Sequence, residues 1–256
     1  MRRRFKSRSA VIGSALIAAL VVGVGVIAVA GASPGGSASG GGDNPKKKPL
    51  KLEDSNVFLE INGTDGDAGI HLELGGEPWS KLRVADPGGR RILDIRAKSK
   101  LGNHGLSGIF IESAEPGFDE LSFKRFKRRF PEGKYRITGE TTAGRALRGN
   151  DKLSHAVPKE PAVTFPTDGG TVDRNGFVFR WDPPSDKKVE IVRYQLTVSN
   201  EDAKNGEVII EVGPNRTSAT IGGEYLSPGD TYAAELIALE KSGNQTISAL
   251  EFKTSG

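Results

Sequence analysis

The stretch Leu226-Ser-Pro-Gly-Asp-Thr-Tyr232 limits what this chain can fold into more than any other. Pro228 fixes its own φ and Gly229 accepts the left-handed region, which together supply turn geometry. Tyr232 then opens a strand with its hydroxyl folded back onto the turn backbone, a tyrosine corner. About fifty residues earlier, Phe177-Val-Phe179-Arg-Trp181-Asp-Pro-Pro184 offers Trp181 as the large core side chain of another strand. Both are signals of two packed antiparallel sheets.

The surrounding sequence lays out seven short strands in the order such a sandwich requires: 162–165, 177–181, 191–198, 207–212, 217–221, 231–239 and 246–253. Turns at Asp168-Gly-Gly170, Asn205-Gly206 and Ser242-Gly-Asn244 separate them. Phe177, Phe179, Trp181, Tyr194, Leu196, Val198, Tyr232, Leu236 and Phe252 are expected to face inward. On Trp181, Leu226, Pro228, Gly229 and Tyr232, residues 158–256 resemble a fibronectin type III domain. That resemblance implies an architecture hosting many unrelated functions, so it carries no ligand with it.

Residues 50–157 are expected to form a second β-rich, sandwich-like domain. Val57–Ile61 reads as a strand, and Ile70-His-Leu-Glu-Leu74 alternates strictly, sending three aliphatics one way and His71 and Glu73 the other. Residues 81–84 and 91–95 form a hairpin through Asp86-Pro-Gly-Gly89. After Gly108–Ile111 the period changes. Ser122 is placed to cap a short helix over 123–130, with Leu121 as a hydrophobic staple and Pro131 as its stop. Phe123, Phe126 and Phe130 share one helix face, which makes the interleaved Lys124, Lys127 and Arg128 a solvated face rather than a polyanion site. Through Thr64-Asp65-Gly-Asp67-Ala-Gly69, Pro78-Trp79, Phe130-Pro-Glu-Gly133 and Leu153-Ser-His155, this half resembles an uncharacterised region found beside fibronectin type III domains in exported bacterial proteins. The fold class is therefore all-β: two tandem β-sandwich domains, immunoglobulin-like and fibronectin type III, the first with a short inserted helix.

Ahead of both lies a segment with an address. Residues 1–32 put Arg2, Arg3, Arg4, Lys6 and Arg8 before a continuous apolar run from Ala10 to Ala32, the order of an export signal. Ala30-Gly-Ala32 suits signal peptidase, while the length of the run suits an uncleaved membrane anchor. In either case the chain beyond Ser33 is delivered outside the cytoplasm, to the periplasm, the cell exterior or the membrane's outer side. Residues 33–49, rich in Gly, Ser and Lys, read as a flexible linker. Subtracting the five cations of the leader from 36 basic residues leaves 31 against 32 acidic ones, so the body gives no electrostatic reason to expect nucleic acid. Without cysteine there are no disulfides and no thiol nucleophile. Asn62, Asn215 and Asn244 begin glycosylation-type triplets that read as turn and strand residues.

No catalytic fingerprint accompanies His71, His104 and His155, which read as surface or strand-end residues. The best metal candidate is Asn62-Gly-Thr-Asp65-Gly-Asp67-Ala-Gly69, where Asp65 and Asp67 can offer hard oxygens to Ca²⁺; as a tight turn the same residues only satisfy backbone geometry. Glu112 and Glu115 form a further carboxylate pair with no partner assigned. These readings imply a non-catalytic exported protein, without catalytic or cofactor-binding residues, that presents β-sandwich modules to a protein or glycan of the bacterial envelope. A calcium-dependent or carbohydrate-binding accessory module is the alternative, and an envelope hydrolase using the Asp65/Asp67 loop is the third.

Overall fold

Short apolar runs with period two, broken by Gly and Pro, become strands over most of the chain. The structure is a computed structural model that describes residues 48–186, 189–200 and 206–256; the expected leader and nearly all of the linker, with Asn205 of one expected turn, lie outside them. The N-terminal half contains β1 (Leu50–Lys51), β2 (Asp54–Asn62), β3 (Asp67–Ala85), β4 (Arg91–Arg96), α1 (Ser99–His104), β5 (Leu106–Glu112), α2 (Phe123–Arg129), β6 (Gly133–Thr141) and β7 (Ala146–Leu153). The C-terminal half contains β8 (Ala162–Phe165), β9 (Gly170–Val172), β10 (Gly176–Asp182), β11 (Ile191–Ser199), β12 (Glu207–Val212), β13 (Ser218–Gly222), β14 (Thr231–Glu240) and β15 (Gln245–Thr254).

Two expected strands, 70–74 and 81–84, are parts of β3, which runs for 19 residues. Gly76 sits at φ 148°, and the pairing with β5 shifts register between Gly75 and Trp79, so the strand changes partners instead of ending. Its first part pairs with β2 and β5, its second with β6 and β4. Ile70, Leu72, Leu74, Trp79, Leu82 and Val84 make it the spine of the first core. The helix α2 forms as the sequence implies, with Phe126 buried beside Leu121 and Lys127 Nζ 4.8 Å from the Phe123 ring centroid. Ser122 stands at its N-cap but its side chain makes no capping bond. The one-turn α1, with Ser99 at φ 53°, carries no periodic apolar signal from which it could be expected.

The C-terminal half packs the sheet β13-β10-β8 against β15, β14, β11 and β12. All nine residues expected to face inward lie in this second core.

The halves meet through a strand pair. β15 runs parallel to β2, Gln245 opposite Glu60 and Ile247 opposite Asn62, so one sheet continues from β1 to β12. The connector between the halves is laid along β15: Thr246 Oγ1 donates to the Pro158 carbonyl at 2.7 Å, and Ser248 Oγ donates to that of Pro161. Asn244, 1% exposed, takes the Leu59 N–H on its Oδ1 and gives its amide protons to the carbonyls of Ser154 and Ala156. A glycan on that amide would displace those bonds, which removes Asn244 as an acceptor.

Candidate functional site

The loop before β3 is an Asx turn: Asn62 Oδ1 accepts from the backbone N–H groups of Thr64 and Asp65, and Asn62 Nδ2 donates to Asp65 Oδ2 at 2.9 Å. Asp65 is exposed on that turn, whereas Asp67 is the first residue of β3. Burial, then the charges of Glu115 and Asp65, push the Asp67 carboxyl up to about 6, and its Oδ1 is buried without a hydrogen-bond partner. Among the described residues no third acid or histidine joins Asp65 and Asp67, and the one set of three His, Cys, Asp or Glu side chains that a metal could share is Glu60, His71 and Glu115.

Strand pairing brings that set together. Across β2 and β3, Phe58 faces His71 and Glu60 faces Gly69, so Glu60 and His71 are diagonal neighbours on one face. Glu115 comes from the strap that follows β5. Ser113 anchors one end, its N–H donating to the Ile70 carbonyl and its Oγ accepting from the Ile70 N–H; Phe118 anchors the other by donating to the Gly66 carbonyl. Between these anchors the Glu115 side chain lies over Gly69, where a Cβ would collide with its carboxylate. Read in sequence as turn chemistry, Gly69 instead makes room for an acid.

His71 is 3% exposed, not at the surface as expected, because Phe58 and Phe110 close on it edge to face with ring centroids 5.3 and 5.4 Å away. Its Nε2 lies 3.4 Å from Glu115 Oε1 and 3.9 Å from Glu60 Oε1. Burial is the largest influence on the ring and opposes its charge, but Glu115, Glu60 and Glu112 together outweigh it and raise the pKa. Burial also raises that of Glu60, against the favourable charge of His71 and a hydrogen bond from Gln245. His104 is exposed on α1, and His155 Nε2 lies 2.8 Å from the Phe130 carbonyl oxygen, so neither joins the set. Glu60 is the residue that sequence reasoning misses, since within Val57–Ile61 it is simply the polar member of a strand.

In the other half, Ser227 N–H donates to the Tyr232 hydroxyl at 2.7 Å, and that hydroxyl reaches back to the Tyr225 carbonyl at 3.4 Å, completing the corner. Gly229 takes φ 77°, Leu226 is buried, and Trp181 packs on Tyr194 at 5.4 Å between centroids. The family model for the fibronectin type III domain matches residues 166–252. These residues form a fibronectin type III domain. Its strand β12 and its corner occupy the positions that the sequence pattern implied. Similar solved structures include the sixth fibronectin type III domain of a human fibronectin type III domain containing protein 3, at 22% identity over 40% of this chain and 87% of that one, TM-score 0.29. A two-domain fibronectin type III segment from chicken tenascin is 13% identical over 79% and 98%, TM-score 0.30. The FN1–FN3 domains of chicken CNTN1 are 12% identical over 81% and 65%, TM-score 0.33.

The first half repeats the corner device in simpler form, with the Tyr135 hydroxyl donating to the Pro131 carbonyl at 3.1 Å across Pro131-Glu-Gly133. Tyr232→Phe leaves the Ser227 N–H without its acceptor, and is expected to cost about 1–2 kcal/mol in urea unfolding. An unchanged midpoint would show that the corner is incidental to stability.

Proposed function

We propose that this chain is a non-catalytic, exported interaction protein of the bacterial envelope, and that its fibronectin type III domain takes an extended segment of a partner protein along β12. Fibronectin type III domains commonly serve as binding modules, which supports the reading at the level of the domain. The observation that carries it further is the edge. Among the described residues β12 ends the long sheet, pairing with β11 on one side only, and its other side offers backbone groups to a further strand. Ile209, 47% exposed, puts an apolar side chain on that edge strand, flanked by Glu207 and Glu211. The basic-then-apolar order of residues 1–32 supports delivery outside the cytoplasm.

Cell fractionation of a tagged chain, followed by crosslinking and pull-down, tests both parts. The expected result is a tagged product outside the cytoplasm with a partner whose recovery falls at least tenfold in Ile209→Asp. A product confined to the cytosol removes the address, and a partner retained equally by Ile209→Asp removes the edge.

A further inference from the structure

We propose that Glu60, His71 and Glu115 hold one divalent transition-metal ion, and that Zn²⁺ is the ion their donors fit best. The separations are the first reason. Two ligands bound tetrahedrally to zinc at about 2.0–2.1 Å stand about 3.3 Å apart. His71 Nε2 is 3.4 Å from one carboxylate and 3.9 Å from the other, long for hydrogen bonds but close to the edges of such a tetrahedron, and all three donor atoms lie within 4.8 Å of one another.

The ring itself is the second. A polar ring buried to this degree needs compensation, yet at Nε2, the nitrogen that faces the acids, it has only the long approach to Glu115. Phe58 and Phe110 fix its plane with Nε2 directed at the two acids. Third, Gly69 leaves room for the Glu115 carboxylate beside His71, and a Cβ there would push that carboxylate out of its place.

The charges and donor types decide the ion. Two carboxylates and a neutral imidazole bring two negative charges to a dication. An imidazole nitrogen with two carboxylate oxygens is a transition-metal set, whereas Ca²⁺ seeks six to eight oxygens. Glu60 and Glu115 are 14% and 21% exposed, which leaves an entry path and an open fourth position on the carboxylate side. Asp67, with its buried unpartnered Oδ1, is the next carboxylate toward Glu115. A bound ion would tie β2, β3 and the strap together at the join itself, because the ligand Glu60 also accepts a hydrogen bond from Gln245.

The test uses the untagged full chain in detergent, stripped with a chelator and titrated calorimetrically with ZnCl₂, CoCl₂ and CaCl₂. One Zn²⁺ per chain is expected, with a raised Tm and, for Co²⁺, the visible absorption of a tetrahedral site. Glu115→Gln and Gly69→Ala should each weaken Zn²⁺ at least tenfold, since even outer-shell partners of metal ligands carry that much. His155→Gln should leave it unchanged. Glu115 is partly exposed, so its variant keeps the test open where His71→Gln fails to fold. Absence of Zn²⁺ uptake, uptake that Glu115→Gln leaves intact, or Ca²⁺ bound as tightly as Zn²⁺ would each overturn the proposal.

Discussion

Asn244→Ala is expected to destabilise the protein by about 3–5 kcal/mol, read as a shift of the urea midpoint. The side chain is small, so the effect does not come from lost apolar area. It comes from what the amide leaves behind: the Leu59 N–H in β2, the Ser154 carbonyl and the Ala156 carbonyl all lose their partner, in a place where the amide itself is 1% exposed. Each buried group stranded in that way costs about 1–3 kcal/mol, partly recovered where water enters. Asn244→Asp separates geometry from chemistry. It keeps the acceptor for Leu59 but replaces the donor with a second oxygen facing two carbonyls, so it should be at least as damaging as alanine. A loss under about 1 kcal/mol in both variants would show that the two halves are held mainly by the β2–β15 pairing. Thr246 and Ser248 act on the same connector, and their alanine variants should add less, because each gives up only a single hydroxyl, that of Thr246 bonded to Pro158 and that of Ser248 shared between Pro161 and Glu160.

The contrast between what can and cannot be read from sequence runs along this seam. The Tyr232 corner, the Trp181 core and the strands from 162 to 253 are written locally: turn residues within a few positions of the strands they join, and alternation that survives into burial. The join is written in polar residues 185 positions from their partners, as Asn244 and Leu59 are, and in parallel pairing, which has no turn to announce it. In isolation Ser242-Gly-Asn244-Gln-Thr246 resembles any hairpin turn. The candidate site is half legible. His71 and Glu115 each stand out in the sequence as titratable residues, His71 on the polar side of an alternating run. That polar side becomes an interior when the strap 113–118 and the second half cover it, and only then does Glu60 acquire neighbours. Asp65 and Asp67 attract a calcium reading because acids in a glycine-rich loop mimic ligand spacing, but the Asn62 side chain accounts for the turn's backbone without an ion.

The same seam should make the protein more stable at acid pH than at alkaline pH. Glu235 on β14 points to the face that Ile237, Leu239 and Ile247 also share, away from the sandwich core of Tyr232, Ala234 and Leu236. Burial, then the charges of Glu60, Glu207 and Asp65, push its carboxyl up to about 7 from 4.5. A carboxyl whose folded pKa lies above its unfolded value binds its proton more tightly in the folded state. Its stabilising share is complete below 4.5 and is lost as pH rises through 7, the reverse of a salt-bridged acid. A tenfold change in proton affinity corresponds to about 1.4 kcal/mol, so the loss is on the order of 1–3 kcal/mol once partial hydration is allowed for. Asp67, Glu60 and His71 are raised as well and act in the same direction, while at Asp94 burial raises the carboxyl but the hydrogen bond and charge of Arg83, with the charges of Arg91 and Arg96, together outweigh it and hold it low, so Asp94 acts oppositely. Glu235→Gln removes the charge and keeps the shape. It should stabilise the protein by about 1–3 kcal/mol at pH 8 and change little at about pH 4.5, measured by paired urea titrations of metal-stripped chain. An equal effect at both pH values would mean that Glu235 is ionised without penalty, and that the second half is covered less closely by the first than the hydrogen bonds of β15 require.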